Sequence, residues 1–69
     1  MKFYAKGRRE CNAAIEVTVH DTGAIASAEV DHITQAQLLK ALEKEYPDYD
    51  WTVRSHKYFW YWEAYGRIL

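Results

Sequence analysis

The stretch "ITQAQLLKALEKEYP", residues 33–47, encodes a helix with both of its ends marked. Thr34 is followed three residues later by Gln37, which is capping-box spacing, and Ile33 and Leu38 occupy the two positions of a hydrophobic staple. Leu38, Leu39, Leu42 and Tyr46 form an apolar stripe with Ala41 beside it, while Gln35, Lys40, Glu43 and Lys44 can stay in water. Pro47 disfavours helical geometry at Tyr46 and stops the run. The spacing predicts one helix, roughly 35–46. In a chain of 69 residues, the remainder must then supply the surface on which that stripe is buried.

The remainder reads as strands. In "NAAIEVTVH" Ala13, Ile15, Val17 and Val19 share one face, and Glu16, Thr18 and His20 the other. "DTG" at 21–23 suits a three-residue hairpin loop with glycine available for a left-handed position. The returning "AIASAEVD" sets Ala24, Ala26, Ala28 and Val30 against Ser27, Glu29 and Asp31, its small residues admitting a helix closely. At the start, Phe3 and Ala5 alternate with Lys2, Tyr4, Lys6 and Arg8. After the helix, Trp51 and Val53 alternate with Thr52, Arg54 and His56, then a turn near 55–58 leads into a last strand through the aromatic run. The fold class expected is α+β: a single domain over 1–69, order βββαββ, an antiparallel sheet with one helix on one face.

Size limits what such a domain can hide. A chain this short buries only about 60% of its unfolded surface, yet 49% of its residues are hydrophobic. Cys11 is the single cysteine, so an internal disulfide and a cysteine-based metal site are both excluded. No apolar run approaches a membrane span and Met1 leads directly into "KFYAKGRRE", so a soluble, cytoplasmic protein is expected. The net charge of −1 is unevenly spread, with basic ends around an acidic middle. Such a dipole can orient a charged partner but gives weak grounds for general nucleic-acid binding.

Against this background "KYFWYWEAYG", residues 57–66, is the anomaly. On a strand its rings divide into two rows, Tyr58, Trp60 and Trp62, or Phe59, Tyr61 and Tyr65, and only one row can face the helix. The Trp60 and Trp62 side is expected to complete the core. Phe59, Tyr61 and Tyr65 then look outward, beside Tyr4, Lys6, Arg8, Glu16, Thr18, His20, Thr52, Arg54 and His56. A fully exposed row of three rings offers on the order of 450–750 Å², against roughly 300–600 Å² for the largest apolar patch of a typical monomer. Rimmed by Arg54, Lys57 and Arg67, it has the makeup of a binding hot spot. The candidate partner contacts are Tyr4, Lys6, Arg8, Arg54, Lys57, Phe59, Tyr61, Tyr65 and Arg67. Trp60 stays in the set because the opposite assignment of rows turns it outward.

Catalytic and metal chemistry find little footing. His20, His32 and His56 have neither helical i,i+4 spacing nor a framing carboxylate pattern. Cys11 carries no nucleophile motif, and the side chains of "HD" at 20–21 and "DH" at 31–32 would diverge on a strand. Gly7, Gly23 and Gly66 make no phosphate-binding loop. No enzyme, no cofactor and no metal are expected.

The succession "KFYA", "IEVTV", a capped "ITQAQLLKALEKEY" helix and "WTVRS" resembles the layout of small phage-encoded inhibitors of host proteins, covering roughly residues 2–54. It is similar to the T7-type inhibitor of bacterial RNA polymerase in its short strands around one helix, and to several anti-CRISPR proteins in size and βαβ architecture. The extra strand at 24–31 and the aromatic tail depart from the polymerase inhibitor, so its contact residues do not transfer. The resemblance implies a compact, non-enzymatic protein that blocks a surface of a larger host complex. Two other classes fit the aromatic run: single-stranded nucleic-acid binding by stacking, opposed by the acidic middle, and a homodimer in which the aromatic strand pairs with its twin.

Overall fold

A computed structural model describes residues 1–55 and 60–69; His56, Lys57, Tyr58 and Phe59 lie outside the described residues. Among the described residues, five strands and one α-helix follow the expected order: β1 (Lys2–Lys6), β2 (Asn12–His20), β3 (Gly23–Glu29), α1 (Gln35–Glu45), β4 (Tyr49–Ser55) and β5 (Tyr61–Ile68). All pairings are antiparallel, and the strands lie side by side in the order β1-β2-β3-β5-β4. The last strand therefore fills the gap between β3 and β4, which α1 connects.

The helix is capped as its sequence dictates. Thr34 Oγ1 accepts from the Gln37 N–H at 3.2 Å, and Gln37 Oε1 accepts from the Thr34 N–H at 3.0 Å. Ile33 and Leu38, the staple pair, are both fully buried. Leu38 and Leu42 press the apolar stripe onto a floor of small residues, Ala13, Ala24, Ala26, Ala28 and Ala64, together with Ile15, Val17, Trp51 and Val53. Trp62 also points to this side, its indole N–H donating to the Ile33 carbonyl at 2.8 Å. Below the helix C-terminus, Phe3, Tyr49 and Trp51 surround Tyr46 with ring centroids 6.0–6.3 Å from its own.

Four expectations are corrected. The β2–β3 hairpin turns on Asp21 and Thr22 alone, since Gly23 already pairs with His20 and Arg67, and no glycine has positive φ. Arg8 is not on the sheet: β1 ends at Lys6, and Arg8–Glu10 forms a 3₁₀ turn. The cause lies at Gly7, where a Cβ would collide with the His32 carbonyl oxygen, and where the Arg8 N–H donates to that same carbonyl at 2.9 Å. Trp60 does not join Trp62 in the core. It precedes β5 in a bend, 74% exposed, with its carbonyl accepting from the Val30 N–H at 2.8 Å. Finally, both edges of β5 are taken, by β3 and β4, so a second copy finds no free backbone there to pair with the aromatic strand.

Candidate functional site

The helix covers one face of the sheet and leaves the other open. The register fixes what that open face carries, because residues opposite one another across a ladder project to the same side. One row crosses all five strands as Lys2, Glu16, Ser27, Glu63 and Arg54. The next runs Thr18, Ile25, Tyr65 and Thr52, and the next His20, Gly23, Arg67 and Asp50. Tyr61 faces the same way, opposite Glu29.

Tyr65 is the centre of this surface. Its ring on β5 stands beside Ile25 on the neighbouring β3, 42% and 44% exposed respectively. The Arg54 guanidinium lies 5.5 Å from the ring centroid, a cation–π distance. Its hydroxyl donates to Glu63 Oε2 at 2.9 Å. That bond, with the negative charge of Glu63, holds the phenol above its ordinary value of 10.0, while Arg54 pulls it the other way. A shallow depression of about 420 Å³ adjoins the ring, lined by His20, Gly23, Ile25, Asp50, Thr52 and Arg67 among others.

Of the expected contacts, Arg54, Tyr61, Tyr65 and Arg67 come together on the adjacent strands β4 and β5. Tyr4 and Lys6 share the open face but sit on β1, at the far edge of the sheet. There Tyr4 is 64% exposed, with Lys2 Nζ 5.9 Å from its ring centroid. Arg8 lies off the face, Trp60 stands at the entrance to β5, and Lys57 and Phe59 lie outside the described residues. The two described members of the aromatic row, Tyr61 and Tyr65, are each 42% exposed and together present on the order of 130–210 Å² of ring surface. Composition and position mark this face.

Two residues of the site escaped the sequence reading. Ile25 was passed over although its parity with Ser27 and Glu29 places it outward. Glu63, between two tyrosines, holds the Tyr65 hydroxyl. Among the described residues no three His, Cys, Asp or Glu side chains gather as metal ligands would. Among the described residues no helix is long and apolar enough to cross a membrane. Comparison with protein-family models, curated proteins and solved structures gives no match for this chain.

Proposed function

We propose that the chain is a non-enzymatic protein-binding module that docks the open face of its sheet on a larger protein complex, in the manner of the small phage-encoded inhibitors it resembles. The observation that carries this reading is the placing of Ile25, Tyr61 and Tyr65, each more than 40% exposed, on the inner strands of the sheet. Inner strands are where a small domain has most to gain from covering apolar side chains. Here they are left accessible, with Arg54 stacked on Tyr65 and Arg67 at the adjoining depression. Tyrosine and arginine around a concave spot are the usual constituents of binding hot spots.

The charges on the face favour a protein over a nucleic acid. Lys2, Lys6, Arg54 and Arg67 are matched by Glu16, Glu29, Asp50 and Glu63. Binding of a phosphate backbone draws on an excess of cations, whereas an alternating pattern suits a protein surface of complementary pattern and penalises wrong partners.

The test is capture from a bacterial lysate on the immobilised chain, compared with a Tyr61→Ala, Tyr65→Ala double variant whose amide spectrum shows the fold intact. The wild type should retain a host protein, and the variant should bind it about 30-fold or more weakly, the loss of a hot spot. Equal retention by the folded variant would defeat the reading. Quenching of tryptophan fluorescence by a short oligonucleotide at low salt would replace it with the nucleic-acid alternative.

A further inference from the structure

The other notable surface is the outer edge of β1. Met1 and Val17 exchange both backbone bonds, Met1 N to Val17 O at 2.6 Å and Val17 N to Met1 O at 2.7 Å. Hydrogen-bonded and non-bonded pairs alternate along an antiparallel ladder. Phe3–Ile15 and Ala5–Ala13 are therefore bonded pairs as well. The N–H and C=O groups of Lys2, Tyr4 and Lys6 consequently point away from β2, toward the free side of the strand.

The two edges of the sheet are treated differently. At β4 the helix closes over the strand, with Gln35 Nε2 donating to the Val53 carbonyl at 2.8 Å. At β1 it stands off, leaving a groove of about 510 Å³. Phe3, Ala5 and Ala41 supply its apolar walls, and Lys6, Lys40 and Lys44 line it against the single carboxylate of Glu45. Lys2 and Lys6 continue the positive charge on the open side of the strand. A second copy pairing antiparallel through β1 would set Lys2 against Lys6, and like charges directly opposed destabilise a ladder. An acidic strand in the same place would meet lysines on both of its faces.

We propose that the edge of β1, with the lysine-lined groove beside it, accepts an extended acidic peptide as a sixth strand of the sheet. Backbone groups of Lys2, Tyr4 and Lys6 would supply the ladder, and Lys40 and Lys44 would select alternating Asp or Glu side chains. This site is the free edge of β1, three strands from Tyr65, so either can fail alone.

The probe is a labelled peptide of about eight residues, strand length, alternating glutamate and valine; a lysine–valine peptide is the control. The acidic peptide should bind saturably and slow hydrogen exchange at the Lys2, Tyr4 and Lys6 amides, and the control should not bind. Lys40→Glu with Lys44→Glu, both exposed positions, should weaken binding about tenfold or more, two ion pairs being turned into repulsions. N-methylation of alternate peptide amides should abolish it. No binding at low salt, binding without protection of those amides, or equal binding of both peptides would each overturn the proposal. A dimer joined through β1 in the absence of peptide would do so too.

Discussion

Gly66 shows how much a single position can depend on a partner across the sheet. It pairs with Trp51, and a Cβ at Gly66 would come within 2.9–3.0 Å of three atoms of that ring. The indole has little freedom to withdraw. It is only 6% exposed, and its N–H donates to the Tyr46 carbonyl at 3.1 Å. In an open strand, alanine for glycine gains a few tenths of a kcal/mol or more from backbone entropy. Here the sign reverses: Gly66→Ala should destabilise by about 1–3 kcal/mol, the usual cost of overpacking. Urea titration checks this as a lower midpoint with an unchanged slope. A midpoint equal to or above that of the wild type would show that the ring yields. Nothing in the sequence around Gly66 points to this constraint, because the residue that imposes it is brought there by pairing.

At the scale of elements, α1 is the piece whose end is held by its own side chains, and those side chains also reach the sheet. Gln37 closes the capping box through Oε1 and donates through Nε2 to the Gly7 carbonyl at 3.3 Å. Thr34→Ala removes the Oγ1 acceptor and leaves the Gln37 N–H without its cap. The expected loss is about 1 kcal/mol, read as a lower denaturation midpoint, with Thr34→Ser restoring most of it. Unchanged stability in the alanine variant would mean that the two bonds of the Gln37 side chain, to the residue 34 N–H and to the Gly7 carbonyl, suffice to fix this end. The helix and its cap were legible in the sequence because cap, staple and stripe are local. The faces of β1, β2 and β3 were legible because alternation is local too. Parity counting failed where it ran past a strand end: at Arg8, beyond the close approach of Gly7 to His32, and at Trp60, before β5 begins. The candidate site was half legible. Tyr61, Tyr65, Arg54 and Arg67 are legible as an outward row with a basic rim, whereas the placing of Ile25 directly across from Tyr65 follows only from the register.

Strand order is the property of the whole molecule that no local pattern encodes, and it has a consequence for how the chain folds. β5, built from residues near the C-terminus, is not a peripheral addition. It pairs along Gly23–Glu29 on one side and Tyr49–Ser55 on the other, so β4 has no sheet neighbour without it. It also brings buried Ala64 into the floor beneath the helix and the Trp62 bond to the Ile33 carbonyl. Terminal segments are commonly the most dispensable part of a domain; this topology makes the last one indispensable. Residues 1–60 alone would expose a β3 edge and strand β4 as an unpaired segment, in a chain already near the lower size limit for one core. The truncated chain ending at Trp60 should therefore lose cooperative thermal unfolding, and its amide spectrum should collapse to the narrow dispersion of an unfolded chain. The full chain should show a single sharp transition, as small two-state domains do. The same topology requires that stable structure wait until the last strand is available, since the pairings that close the sheet join segments far apart in sequence. A dispersed spectrum and a cooperative transition in the truncated chain would mean that β1–β3 and α1 form a unit by themselves. In that case the central place of β5 would not be what holds the sheet together.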